Sequence, residues 1–540
     1  KRESSYDPKD FFNTGSNVQN SISLSVGNEK NQTYASAATS NANGIIPNNE
    51  YNRYNFTLRN TTTFLNDKMT LDIGANYIIQ KNKNMTAQGV YYNPIVAVYT
   101  FPRGENFDNV RLFEEYNDGR MVNTQRWEWG DQGLTLQNPY WTANRNIFTH
   151  NRKRYMINAN LKYDIFDWLN VTGRARIDNA NATEEIKKYA STLTLLAGEN
   201  GSYARSKIDE NQTYADIMIN INKYFNDDYS LSANIGASLL DTEYELSGFS
   251  GNLGGEANLF ALRGINKDDA KSRFLEDQWR KQTQALFANI EFGWRSMLYL
   301  TLTGRNDWDS SLSRMPEKSF FYPSVGLSAV VSEMATLPQF ISYMKIRGSY
   351  ASVGNSIPVG LSRPTYAFDE GTGKWTSNTF PEIGQLYPER TRSWEVGLNT
   401  KFLADKLDLN VTLYKSNTYK QTVKIPMSAS SGYAYKYVQT GNIQNKGIEI
   451  SLGYSQKWRD FSWNSIFTAS ANRNKIIDLG KYTDLDGSIK DLDQEIKVQI
   501  GSSMRRLTTG GSLGDLWTTS VLKKDENGDI YVDPQTGGVV

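Results

Sequence analysis

Residues 283–293, TQALFANIEFG, and 297–307, MLYLTLTGRND, decide the fold, and only Trp294, Arg295 and Ser296 join them. In the first stretch Leu286, Ala288, Ile290 and Phe292 alternate with Phe287, Asn289 and Glu291. In the second, Leu298, Leu300 and Leu302 alternate with Thr301, Thr303, Arg305 and Asp307. Successive strand side chains face opposite ways, so each stretch reads as a β-strand with one oily and one wet face. The same alternation recurs at Leu71, Ile73, Ala75, Tyr77 and Ile79, at Leu169, Val171, Ala175 and Ile177, at Tyr229, Leu231, Ala233, Ile235 and Leu239, and at Leu407, Leu409, Val411 and Leu413. No helical period competes with it over comparable lengths.

Extended along the chain, the pattern predicts sixteen strands. They fall at 20–27, 30–39, 51–65, 69–83, 152–164, 168–180, 212–225, 229–243, 283–293, 297–309, 321–332, 343–354, 392–404, 407–420, 444–457 and 460–474. Short and long connections take turns. Short links sit at Asn66-Asp67, Phe166-Asp167, Asn226-Asp227-Asp228, Ala404-Asp405 and Trp458-Arg459, with 333–342 a longer member of the set. Long insertions occupy 84–151, 181–211, 244–282, 310–320, 355–391 and 421–443. A meander whose long loops share one end is the signature of a transmembrane antiparallel β-barrel with long extracellular loops.

Composition agrees. A mean hydropathy of -0.58 with 39% hydrophobic residues looks soluble, yet only alternate residues of a barrel strand meet lipid, so such averages hide the membrane face. Fifty-nine Lys plus Arg against 58 Asp plus Glu leave a net charge of +1, which makes no case for nucleic acid. Zero cysteines exclude disulfides and thiolate metal sites. Of 32 Tyr, 23 Phe and 12 Trp, many fall near strand ends, among them Tyr163, Phe166, Trp168, Phe225, Tyr229, Trp294, Trp458, Phe461 and Trp463. Rings there fit a membrane-interface girdle.

Several longer segments resemble the SusC/RagA family of TonB-dependent outer-membrane transporters: YYNPIVAVYTFPRGENFD at 91–108, LQNPYWTANRN at 136–146, GRNDWDSSLSRMPEKSFFYPSVGLSAVVSE at 304–333 and MKIRGSYASVGN at 344–355. RTRSWEVGLNTKFLADKLDLNVTLYKSNTYKQTVKIPMSASSGY at 390–433 and GNIQNKGIEISLGY at 441–454 complete the set. The resemblance implies an all-β barrel of about 22 strands in the full protein. This chain, 1–540, would then be a partial barrel with strands over about 20–474 and a long extracellular region at 475–540. An N-terminal plug and the last strands would lie outside it. Implied partners are a SusD-like surface lipoprotein lid and TonB, reached through the plug. The implied location is the bacterial outer membrane, and the implied role active import of oligosaccharides or oligopeptides. A non-transporting adhesin or receptor barrel is the alternative.

Candidate ligand contacts are the loop aromatics Tyr91, Tyr92, Trp127, Trp129, Tyr140 and Trp141, set among Arg103, Arg111, Arg120, Arg126 and Asp131. Flat rings among charged groups suit stacking on sugars or peptide side chains, although the same rings could simply pack the loop. Asp525, Asn527, Asp529 and Asp533 resemble the start of a calcium loop, but Gly528 stands at the fourth position rather than the sixth and no Glu follows at the twelfth. Asp484, Asp486, Asp491 and Asp493 are looser still. Solvated turns are the expected reading of both clusters, so no cofactor is expected. The one histidine, His150, is expected at a strand edge, and no catalytic constellation forms around it.

Overall fold

A computed structural model describes residues 6–540 except 86–88, 90, 129–135, 227, 363–366, 370–373, 377–379, 382–385, 486, 493–496, 501–502, 519–521, 536–537 and 540. Sixteen strands hydrogen-bond in sequence order into one antiparallel sheet. They are β1 Ser16–Gly27, β2 Asn31–Asn43, β3 Glu50–Phe64, β4 Met69–Lys83, β5 Asn146–Phe166, β6 Leu169–Tyr189, β7 Gly201–Phe225 and β8 Tyr229–Asn252. Then follow β9 Arg273–Trp294, β10 Leu298–Asp309, β11 Ser319–Val330, β12 Ile341–Asn355, β13 Glu389–Phe402, β14 Leu407–Tyr419, β15 Asn442–Trp458 and β16 Phe461–Asp478.

Every strand read from the alternation is present, but several run further. Strand β6 continues to Tyr189 and β7 begins at Gly201, so most of the 181–211 insertion is strand. Strand β8 likewise reaches Asn252 and β9 starts at Arg273, shrinking the 244–282 insertion from both sides. The 84–151 insertion gives up its last residues to β5, which places His150 inside a strand. The longer link at 333–342 carries one short helix, Val331–Met334, that belongs to its start.

The short links are tight. Leu65, Asn66 and Asp67 take three successive left-handed conformations, with φ of 54°, 53° and 64°. Leu403, Ala404 and Asp405 repeat the arrangement at 56°, 54° and 64°. Side chains with a Cβ pay about 1–2 kcal/mol for that region, so these turns are held by the strands they join.

The chain divides into two compact units, Lys1–Ile219 with Ala237–Gln284 and Phe368–Thr376, and Asn220–Gly236 with Ala285–Ala367 and Ser377–Val540. In the first, two short helices grow from Asn-Pro pairs. Asn93 caps α1 (Pro94–Thr100) by accepting the Ile95 N–H at 3.0 Å, and Asn138 caps α2 (Pro139–Arg145) by accepting the Tyr140 N–H at 2.9 Å. Proline at the first helical position costs no hydrogen bond and is pre-set for the helix. Around α1 the buried side chains Tyr6, Phe11, Ile46, Val98, Phe101, Phe107 and Val110 form a core, with Tyr6 stacked on Phe107 at 4.1 Å. The second unit holds two such cores. One gathers Leu312, Met315, Phe320, Ile357, Leu361 and Leu386, the other Ile425, Val438, Ile476, Leu479, Leu492 and Leu507. Both pack segments between the long strands against strand residues, Phe320 of β11 in one and Ile476 of β16 in the other, and the second also draws on the paired Thr422–Pro426 and Tyr435–Gln439.

Candidate functional site

On one face of the sheet many large apolar side chains are exposed. Ile177 is 47% exposed, Ile217 57%, Leu286 57% and Leu413 46%. Leaving such a side chain in water forfeits about 1.5–3 kcal/mol each, so this face requires an apolar medium. Beside the short turns Tyr163, Phe166, Phe225, Tyr229, Trp294, Trp458 and Phe461 stand exposed as expected of a girdle, and Phe166 stacks on Trp168 at 5.5 Å.

The opposite face is polar, and its charges are paired in place. In the first unit Arg154 donates to Asp178 at 2.7 Å, Arg176 donates to the same carboxylate at 2.7 Å, and Arg152 donates to Glu210 at 3.0 Å. Arg174 grips Asp216 at 2.9 and 3.0 Å, with no Asp216 side-chain surface left exposed. Arg59 and Thr61 both donate to Asp72 at 2.7 Å. Cross-strand spacing brings these groups together: Arg154 lies opposite Ala180 in register, so its long side chain crosses diagonally to Asp178. The strands shape an open-sided cavity of about 180 Å³ lined by Arg152, Asp178, Glu210, Gln212, Tyr244 and Trp279 among others.

In the second unit Arg347 of β12 lies across Gly397 of β13. It donates to Asn399 at 2.7 Å and to Thr412 of β14 at 2.6 Å. A Cβ at position 397 would stand 2.6 Å from the Arg347 Nε, so only glycine leaves room for the crossing. Arg305 donates to Asp307 at 2.7 Å and its guanidinium rests 5.6 Å from the Phe287 ring, while Tyr322 also donates to Asp307.

The five candidate loop aromatics among the described residues do not form one surface. Trp141 is fully buried and its Nε1 donates to Thr192 at 3.0 Å. Trp127 and Tyr140 pack against the Tyr6–Phe107 core. Burial pushes the Tyr140 phenol above its ordinary pKa, and that of Tyr6 further still. Tyr92 meets Phe148 edge-on at 6.1 Å, with the Lys188 ammonium 5.1 Å from its ring. Tyr91 is 40% exposed, and Trp129 lies outside the described residues. Three of the six therefore pack the loop. The arginines near them are similarly engaged: Arg103 donates to the Tyr6 carbonyl at 3.1 Å, Arg111 to the Asp10 carbonyl at 3.3 Å and Arg120 to the Glu199 carbonyl at 2.8 Å. Arg126 donates to Glu128 at 2.7 Å, and Asp131 lies outside the described residues.

Residue type alone did not single out Asn138, which organises this loop. It is fully buried, and besides capping α2 its Nδ2 donates to the Val110 carbonyl at 2.9 Å and the Arg126 carbonyl at 3.0 Å. The repeated Asn-Pro pair was the available signal.

Asp525 spends its Oδ1 on the backbone N–H groups of Asn527 at 2.9 Å and Asp529 at 2.8 Å, and Asp533 accepts the Gln535 N–H at 2.8 Å. Asp484 pairs with Lys490, whereas Asp486 and Asp493 lie outside the described residues. Among the described residues no group of three or more His, Asp or Glu side chains converges on a metal position. His150 lies opposite Glu184 in register, its Nδ1 3.0 Å from the carboxylate.

An antiparallel sheet with one lipid-ready face, one charge-paired face and short turns at one end defines a wall of an outer-membrane β-barrel. The chain belongs to the TonB dependent receptor-like β-barrel family, whose profile matches residues 99–494. It is 22% identical over 512 residues to TonB-dependent receptor P26 of Formosa agariphila, covering 91% of this chain and 48% of that protein. With TonB-dependent receptor SusC of Bacteroides thetaiotaomicron it shares 21% identity over 571 residues, covering 98% and 54%. The chain thus spans about half the length of the curated relatives it matches. Among solved structures, the RagAB peptide importer in its closed-closed state superposes with a TM-score of 0.75 at 17% identity, covering all of this chain and 58% of that one. The ferripyoverdine receptor of Pseudomonas aeruginosa gives 0.53 at 14%, covering 91% and 58%. These likenesses are of fold. The apolar face accordingly meets the lipid of the outer membrane, and the family is one of receptors and transporters.

Proposed function

We propose that this chain supplies barrel wall and outer loops to an active importer that draws on TonB and works under a SusD-like surface lid, taking up oligosaccharides or oligopeptides. The observation that carries the reading is the polar face. Across β3 to β7 its arginines pair with carboxylates on the same or a nearby strand, which gives a wetted wall there without the strong single-sign field that would trap a passing polymer. The likeness to the RagAB peptide importer supports oligopeptides as one ligand class, and the match to TonB-dependent receptor SusC supports the reliance on TonB. Loops with their own buried cores offer a firm rim for a lid, and Tyr91 is the most open of the candidate rings among the described residues.

The test is uptake of labelled oligosaccharides and oligopeptides by cells with and without the gene, each with and without TonB. Uptake that needs both supports the proposal. Cells that bind the oligomer at the surface equally well in every background, with no uptake to lose, would instead make the barrel an adhesin.

A further inference from the structure

Glu210, Tyr244 and Trp279 each lie fifteen residues along the strand from its short-turn end, counted from Phe225, Tyr229 and Trp294 respectively. A tilted strand crosses the hydrocarbon in about 9–11 residues, so all three stand beyond it. Alternation puts them on the polar face. Tyr244 has the opposite parity to exposed Tyr229, Ile235 and Leu239, Trp279 to exposed Leu286 and Phe292, and Glu210 to exposed Ile217 and Ile219. The Tyr244 and Trp279 rings stack at 5.5 Å with planes 14° apart, and both remain partly exposed. Neither ring belongs to any of the three buried apolar clusters found among the described residues. Together they edge the 180 Å³ cavity that also holds the Arg152–Glu210 and Arg154–Asp178 pairs.

The chemistry of this cavity selects among ligands. Stacked aromatic faces bind the apolar face of a sugar ring, and the partly exposed Arg152–Glu210 pair offers donors and acceptors side by side to hydroxyl groups, while Asp178 stays buried under Arg154 and Arg176. An anionic ligand gains less here, because Asp178 and Glu210 already offset the charge of the guanidiniums beside them. An extended peptide binds best by adding a strand to a free sheet edge. Here the cavity lies on the face of strands hydrogen-bonded on both sides, β5 through β9 all being interior to the sheet order.

We infer that the Tyr244–Trp279 stack and its neighbouring ion pairs form a subsite for a neutral oligosaccharide. The site deepens the import reading by naming its cargo, but binding there does not require transport. The complete gene product, purified from outer membranes in detergent, is titrated by calorimetry with neutral hexasaccharides of glucose, xylose and mannose in several linkages, with oligogalacturonate and with mixed hexapeptides. At least one neutral hexasaccharide binds, Trp279→Ala weakens it about tenfold, and Trp279→Phe keeps it within about threefold. Retention by the Phe variant separates ring loss from misfolding. Absence of neutral-glycan binding across the panel, binding indifferent to Trp279→Ala, or tighter binding of oligogalacturonate or peptide at the same ring each overturns the subsite. Uptake with and without TonB is scored separately. Glycan binding without uptake leaves the subsite and sinks import, and peptide uptake untouched by Trp279→Ala does the reverse.

Discussion

The turn-proximal part of each strand and the chain above it are stabilised in different ways. Near the short turns, Leu286, Ile290, Leu300 and Leu302 contribute by facing the right side, and one apolar residue serves nearly as well as another. Above, the structure hangs on individual side chains: Asn138 with bonds into three segments, Asn252 accepting the Gly198 N–H at 2.8 Å while donating to Asp269 at 2.8 Å, and Arg145 held to Glu114 at 2.7 and 2.8 Å. Lipid enforces pattern; in water, where both faces are wet, particular contacts must do the ordering.

The largest break in that contrast should come from Asn138→Ala. It removes a helix cap, worth about 1 kcal/mol, and strands two carbonyls, at about 1–3 kcal/mol each. Local opening of 94–145 should become easier by about 3 kcal/mol, seen as lost hydrogen-exchange protection there with β9 and β10 unchanged. Next, Leu302→Arg on the lipid side should cost about 2–4 kcal/mol in the urea midpoint of the complete protein refolded into vesicles, whereas Thr303→Arg beside it should stay within about 1 kcal/mol. A smaller effect follows from Asp269. The Lys271 backbone N–H and then the Asn252 amide hold its carboxyl below the usual range, so the contribution is present above about pH 4 and lost as pH falls through the lowered value. Exchange protection over 253–272 should weaken on acidification by under about 1 kcal/mol, and Asp269→Asn should flatten that response. The smallest is a gain: Ala404→Gly relieves one left-handed residue and should stabilise by about 0.5 kcal/mol after the entropy of a freer unfolded chain.

This division also explains what could be read in advance. Alternation located all sixteen strands wherever lipid imposes it. It failed at ANATEEIKKY, 180–189, because beyond the hydrocarbon Glu184, Lys187 and Lys188 are welcome on either face and the period dissolves. Tyr244 and Trp279 fell in a stretch taken for loop, and only the pairing of β8 with β9 brings together residues 35 positions apart in sequence. Trp141 looked like a ligand platform because nothing near it in sequence reveals Thr192, the partner of its indole 51 residues away. The Asn-Pro pairs were visible but ambiguous, since a turn and a capped helix begin alike.

Arg347 laid over Gly397 has a consequence for clearance. An upright arginine would project off the polar face and sweep the space before it with a mobile charge. Pinned flat to Asn399 and Thr412, it spans three strands and thins to the thickness of a planar group. The wall keeps its cation for wetting while losing its reach. A methyl group at position 397 would lift that side chain off the wall.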